Sequence, residues 1–208
     1  MPLRRAYARR VPRGYRYEVP DGTFHIATRA VFERHAFDDV ADRWDFIGIL
    51  AHVIELCGWR CKSYCLMGTH YHLIIQTPFP NLSLGMQYLN GRYAQNFNGR
   101  HGRYGHLFSG RFYSVLIETE SHLFAALRYV ACNPVEAGLC ESPADWRWSS
   151  FAATAGLEPA LRLLDVDGVL SLFSSSREAA RAQFVSLVEG SSGTNVPDDV
   201  DLVRIDGV

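Results

Sequence analysis

Arg60-Cys-Lys-Ser-Tyr-Cys-Leu-Met-Gly-Thr-His-Tyr-His-Leu-Ile-Ile-Gln-Thr77 is the stretch whose reading decides the fold. Residues 60–66 and 71–77 read as two strands, and Met67-Gly-Thr69 between them reads as a hairpin-like connection. His70-Tyr71-His72 begins the second strand. Alternate side chains of a strand leave from the same face, so both imidazoles point one way, a few Å apart. Two such nitrogens make half of a divalent-metal site, and imidazole is the commonest protein ligand for such ions. The competing reading is a pair of half-exposed histidines on a sheet surface.

Working outward from the hairpin gives the remaining elements. Residues 24–29 alternate apolar and polar after the turn signal Pro20-Asp-Gly22 and read as a first strand. Asp38-Asp39 opens a helix to about Cys57, with Trp44, Ile47, Leu50, Ala51, Ile54 and Leu56 as its apolar stripe and Gly58 as its stop. Beyond the hairpin, Asn81 or Ser83 can cap a helix to about Phe97, with Leu84, Tyr88, Tyr93 and Phe97 among its buried candidates. A turn through Asn98, Gly99, Gly102 and Gly105 leads to a strand near 111–118. Thr119 or Ser121 then caps a third helix, with Leu123, Leu127 and Val130 inward, that ends near Asn133-Pro134.

That order, β-α-β-β-α-β-α, predicts an α+β ferredoxin-like sandwich, an antiparallel sheet with helices on one face. A short helical stretch is expected around 146–155. The predicted organisation is a main domain over 1–156 with a basic N-terminal arm, and a helical extension over 157–190 built from stretches near 163–173 and 178–188. A polar, acidic tail over 191–208 is expected to be disordered.

With 208 residues and 48% apolar content, the chain can bury one good core. It holds no apolar run long enough to span a bilayer and no secretory signal pattern, so the expected location is the cytoplasm, without a membrane partner. Cys57, Cys61, Cys65, Cys132 and Cys140 include no CxxC pair, and an odd count argues against a disulfide framework. Most read as buried thiols; a zinc site from Cys57, Cys61 and Cys65 is the alternative.

The net charge of −1 conceals an asymmetry. Residues 1–36 carry eight arginines against three acids, Arg13 and Arg16 among them, and residues 157–208 carry four arginines against nine acids. Between Asn90 and Ser114, Arg92, Arg100, Arg103 and Arg111 are interleaved with Tyr93, Phe97, Tyr104, Phe108, Phe112 and Tyr113, with no acid present. Arginine forks bind phosphate and aromatic rings stack on bases, so this composition suits a nucleic-acid groove. A solvated helix face over core aromatics is the alternative.

Tyr129 and Asn133, four residues apart on the third predicted helix, share a face about one turn, ~6 Å, from each other. If that face looks at His70 and His72, the Asn133 amide oxygen completes a mixed nitrogen and oxygen ligand set suited to Mg²⁺ or Mn²⁺ at a phosphate. Tyr129 is then placed to attack phosphorus, although a phenol titrating near pH ~10 needs help to do so and no dedicated base is identified. Attack leaves the chain joined to DNA through a phosphotyrosine and frees a hydroxyl, so no nucleotide is needed; no GxxxxGK[ST] loop is present. Taken alone, Tyr129 reads more naturally as a half-buried helix aromatic, and Tyr93, Tyr104 and Tyr113 compete for its role. His25, His101 and His106 could also face DNA, with His25 reading rather as a structural or solvent-facing residue.

Four motifs, in order, carry a resemblance. Met67-Gly-Thr-His-Tyr-His-Leu73, Leu89-Asn-Gly-Arg-Tyr-Ala-Gln-Asn-Phe-Asn98, His101-Gly-Arg-Tyr-Gly-His-Leu-Phe-Ser-Gly-Arg111 and Arg128-Tyr-Val-Ala-Cys-Asn-Pro-Val-Glu-Ala-Gly138 together resemble the REP-associated tyrosine transposases, single-tyrosine enzymes of the His-hydrophobic-His class. The resemblance covers roughly 17–155. It implies a ferredoxin-like domain that cleaves single-stranded DNA at or near a hairpin-forming repeat, with a divalent metal and a 5′-phosphotyrosine intermediate. Matched by position, His70 and His72 are the metal pair, Asn133 the third ligand and Tyr129 the nucleophile. Where relatives usually carry Met-Pro-Asn before the pair, this chain has Met67-Gly68-Thr69, which leaves the ligands in place and alters the turn. Two other functions stay open: a domesticated hairpin-binding module that does not cleave, and a metal-dependent nuclease using water. The resemblance allows either a monomer or a homodimer.

Overall fold

β1 (Gly22–Arg29) lies at the centre of a four-stranded antiparallel sheet with strand order β2 (Arg60–Leu66), β3 (His70–Thr77), β1, β4 (Tyr113–Ile117). The structure is a computed structural model that describes residues 18–31 and 34–190. Arg13, Arg16, the rest of the basic arm and the expected tail over 191–208 lie outside the described residues. Along the chain the elements are β1, α1 (Val40–Cys57), β2, β3, α2 (Leu82–His101), β4 and α3 (Glu120–Glu136), then a 3-10 turn at Pro143–Asp145 and α4 (Phe151–Ala155), α5 (Val166–Leu170) and α6 (Arg177–Glu189). The architecture is the expected α+β one. No helix among the described residues is long and apolar enough to cross a membrane.

The helices begin and end where local chemistry satisfies their exposed backbone groups. Asp39 accepts the Asp42 N–H at 3.0 Å while the Asp42 carboxylate accepts the Asp39 N–H at 3.2 Å, a reciprocal cap at the start of α1. Gly58 ends the helix with φ 68°, a left-handed conformation that glycine adopts without a Cβ clash. Thr119 caps α3 by accepting the His122 N–H at 3.1 Å. α3 runs past the expected stop at Asn133-Pro134, because Pro134 falls in the last turn, where only the single bond to the preceding turn is lost.

Three expectations need correction. The apolar stripe of α1 is Phe46, Ile47, Leu50, Val53 and Cys57; Trp44 and Leu56 are 46% and 65% exposed. On α2, Leu82, Met86, Leu89, Tyr93 and Phe97 are buried, whereas Leu84 and Tyr88 face out. The helices also do not all share one face of the sheet. Tyr71 packs on Phe46 of α1 at 4.6 Å between ring centroids and donates to Asn90 Oδ1 of α2. Its neighbour His72 packs instead on Tyr129 of α3 at 5.4 Å. Neighbouring strand residues point to opposite faces, so α1 and α2 cover one face and α3 the other.

Residues 157–190 join the same hydrophobic cluster as the sheet, with Val169, Phe184 and Val188 fully or almost fully buried. Phe184 meets Phe151 at 5.6 Å, Phe173 meets Phe124 of α3 at 5.0 Å, and Asp165 N donates to Cys61 O at 2.8 Å. α6 therefore backs the helix that carries Tyr129, and α5 packs on β2 and α4.

Candidate active site

The register between β1 and β3 sets the stage. Ala27 pairs with His72 and Arg29 with His70, while Cys65 of β2 pairs with His72 on its other side. Directly paired residues of antiparallel strands project to the same face, so Arg29, Ala27 and His25 share the face of the two histidines. Ala27 and Cys65 are small, which leaves room above His72 for larger groups. Tyr129 and His25 fill it, both edge-on or tilted to the His72 ring.

The four chemical residues expected from sequence come together. His70 Nε2 lies 3.3 Å from Asn133 Oδ1, and the His70 and His72 rings stand perpendicular with centroids 5.2 Å apart. Tyr129, one turn before Asn133 on α3, is 4% exposed and lies 5.4 Å from His72 and 5.6 Å from His25, centroid to centroid. Thr69 Oγ1 meets His70 Nδ1 at 3.0 Å, so the turn residue that departs from the familiar Met-Pro-Asn pattern holds the back of the His70 ring.

His25 is the residue whose role the sequence left undecided. It is fully buried rather than solvent-facing, and its Nε2 lies 3.1 Å from His72 Nδ1. Burial, with the nearby His122 adding to it, lowers the His25 pKa to about 3. The His72 pKa falls well below the ordinary imidazole range, first through burial and then through His25 and His70. Both rings are neutral near pH 7. Neutral imidazole is the form that ligates cations.

The donor set fits a divalent cation. His72 Nε2 is buried without a hydrogen-bond partner, an arrangement that costs about 1–3 kcal/mol unless something occupies the nitrogen. If Thr69 accepts from His70 Nδ1, the His70 Nε2 lone pair faces the Asn133 carbonyl oxygen, as two ligands of a common ion do. No group of three or more His, Cys, Asp or Glu side chains forms a cation site among the described residues, so an amide ligand is what His70 and His72 have available. The alternative zinc set does not assemble among them either. Cys61 and Cys65 are buried thiols pushed upward by desolvation, Cys61 to about 12, and such thiols resist becoming the thiolates that zinc needs.

The expected DNA-binding arginines separate into two groups. Arg100 pairs with Asp39 and Asp42, and Arg103 lies 3.0 Å from Asp38, so both guanidiniums are engaged by the start of α1. His101 joins this cluster 3.0 Å from Asp42. Arg92 contacts Gln95 at 3.3 Å on the outer surface of α2, with the sheet between it and Tyr129. Arg111 is exposed just before β4, in a loop where Ser109 N donates to Arg29 O at 3.0 Å. That places Arg111 at the His70 end of the sheet. Arg29, paired with His70, is a residue the sequence reading passed over.

Residues 18–133 match the family model described as IS200-like transposase, a span that runs from before β1 and ends on Asn133. The chain belongs to the IS200-like transposase family. A solved structure of a REP-associated tyrosine transposase bound to a REP hairpin is similar to this transposase-family chain with a TM-score of 0.62 and 18% identity, covering 74% of this chain and 94% of that one. At that identity the likeness speaks for the fold. A second structure, provisionally assigned as a transposase from Deinococcus radiodurans R1, covers 58% of this chain and 94% of its own at 19% identity, and its TM-score of 0.39 carries no argument. No curated protein sequence matches the chain.

Proposed function

We propose that this transposase-family chain nicks and rejoins single-stranded DNA at hairpin-forming repeats, with Tyr129 as nucleophile and a 5′-phosphotyrosine intermediate. The observation that carries the reading is the meeting of Tyr129 and Asn133 of α3 with His70 and His72 on the sheet face that α3 covers, around an orphaned ring nitrogen. His70 Nε2, His72 Nε2 and Asn133 Oδ1 would hold a Mg²⁺ or Mn²⁺ ion. When bound, that ion supplies Lewis-acid withdrawal of charge from a phosphate oxygen.

The chain's own groups supply placement. α3 holds the Tyr129 ring against the hydrogen-bonded pair His72 and His25, which fixes its approach to a phosphate seated near Asn133. The Tyr129 oxygen forms the new bond to phosphorus, the bond to the 3′ oxygen of the preceding nucleotide breaks, and that oxygen leaves as a hydroxyl. A second 3′ hydroxyl reverses the step, returning the proton to Tyr129 and joining a new strand without an external energy source. Arg111 and Arg29, at the His70 end of the sheet, bind the flanking phosphates. Arg100 and Arg103 serve mainly to tie α2 to α1. Arg13 and Arg16 supply sequence-independent attraction from the basic arm.

The test uses a labelled single-stranded hairpin and Mn²⁺. An SDS-stable protein–DNA band is expected, absent after EDTA treatment and absent in Tyr129→Phe. Cleavage that persists in Tyr129→Phe would replace this reading with water attack. Tight hairpin binding with neither band nor cleavage would leave a binding module.

A further inference from the structure

The histidine on β1 belongs to neither the proposed ligand set nor the nucleophile, yet it touches both. His25 precedes Ala27 by two residues, and Ala27 pairs with His72, so His25 is the diagonal cross-strand neighbour of His72 on the same face. Its ring lies 5.3 Å from that of His72, tilted by 32°, and 5.6 Å from that of Tyr129. The 3.1 Å separation of His25 Nε2 and His72 Nδ1 is a hydrogen bond between two rings, and one proton lies between them.

Which ring owns that proton decides what His72 can do. If His72 Nδ1 accepts, the other His72 nitrogen is an N–H, which is buried without an acceptor and cannot ligate a cation. If His72 Nδ1–H donates to His25, the buried Nε2 carries a lone pair and becomes a ligand. We propose that His25 is a positioning residue: by accepting the Nδ1–H of His72 it holds that ring in the one tautomer able to bind the ion, and holds its plane edge-on to Tyr129. A hydrogen bond from the far nitrogen of a ligating imidazole is the usual means of fixing tautomer and orientation, and here a second imidazole takes the place commonly filled by a carboxylate or carbonyl. The inference rests on the metal-site reading above and adds a residue to it. A neutral acceptor also leaves the charge of the site unchanged, whereas a carboxylate would add a negative charge beside the phosphate.

The test reads protons and ions without relying on DNA cleavage. Long-range ¹H–¹⁵N spectra of the full-length chain, with and without Mg²⁺, report the His72 tautomer, and Mn²⁺ titration followed by electron paramagnetic resonance reports affinity. The expected wild-type spectrum has His72 protonated at Nδ1 and bare at Nε2. His25→Phe keeps an aromatic ring but removes the acceptor, and is expected to weaken Mn²⁺ binding by about 10- to 100-fold and to release the tautomer. His25→Gln restores an acceptor and should recover most of the affinity. A wild-type His72 protonated at Nε2 with Mn²⁺ still bound would overturn this inference alone, as would unchanged Mn²⁺ affinity in folded His25→Phe. Failure of wild type to bind Mn²⁺ would overturn the metal-site reading and this inference with it. The wild-type spectrum needs no variant, so it decides even where His25→Phe does not fold.

Discussion

Two tyrosines on opposite sides of one sheet illustrate how this molecule divides stability from chemistry. Tyr93 of α2 is fully buried and donates to Ala36 O at 2.5 Å; burial, with Asp42 and Asp45 nearby, pushes its phenol far above the ordinary range. It packs among Phe37, Phe46 and Phe97. Tyr129 of α3 is nearly as buried, but it meets histidines, one with an unsatisfied nitrogen, and has Asn133 at the next turn. Burial therefore does not separate a structural tyrosine from the proposed nucleophile. Neighbours that can hold charge on phosphate do.

The largest expected effect breaks the comparison cleanly. Tyr129→Phe should abolish the covalent DNA adduct, whereas Tyr93→Phe should cost about 1–3 kcal/mol of stability by stranding a buried carbonyl and leave adduct yield per folded molecule unchanged. Gel and thermal-unfolding measurements on both variants check it. Next in size, Phe46→Ala removes the ring between Phe37, Tyr71 and Tyr93. It should cost about 3–5 kcal/mol in denaturant unfolding. Mn²⁺ affinity of the folded fraction should be unchanged, because no proposed ligand lies on that face.

The arginines sharpen the same contrast. Arg111→Ala is expected to weaken hairpin binding and to reduce the slope of log affinity against log salt by about 0.9, the value for one lost phosphate contact on duplex DNA. Arg100→Ala should lower the thermal midpoint while leaving that slope nearly intact, because its partners are Asp39 and Asp42.

The smallest effect concerns acid. The Asp39 carboxyl is held well below the usual range, first by its hydrogen bond to Arg100 and then by backbone N–H groups. A depressed folded pKa stabilises the fold above the unfolded value of 3.8 and loses that contribution as pH falls toward the folded value. Both side chains are 45% exposed, so screening keeps the effect small. Asp39→Asn, which retains a capping oxygen, should melt slightly below wild type at pH 7, and the gap should begin to narrow as the pH falls below about 4.

The sequence made the elements legible because their signals are local. Alternation in 60–77, the acidic pair before α1 and the hydroxyl before α3 each act within a few residues. α1 misled because its apolar residues surround the helix: Trp44, Phe46, Ile49, Val53 and Leu56 offer several stripes, and only packing against Tyr71 and Tyr93 selects one. Leu123, Leu127 and Val130 identified the buried side of α3 but not the sheet face it meets. The proposed site residues on β3 and α3 come together as their spacing leads one to expect. His25 was not readable in this way, because its link to His72 exists only once β1 and β3 adopt their register. Arg100 and Arg103 looked free for DNA because their acidic partners lie some sixty residues earlier on α1 and in the loop before it.

Peptide mapping of the adduct by mass spectrometry tests the central claim most directly. After reaction with a hairpin oligonucleotide and Mn²⁺, followed by nuclease and protease digestion, the account predicts a 5′-phosphonucleotide on Tyr129 within the 129–147 tryptic peptide or its Arg128-containing extension. The same mass on Tyr93, Tyr104 or Tyr113, or cleaved DNA bearing a free 5′ phosphate with Tyr129 unmodified, would contradict it.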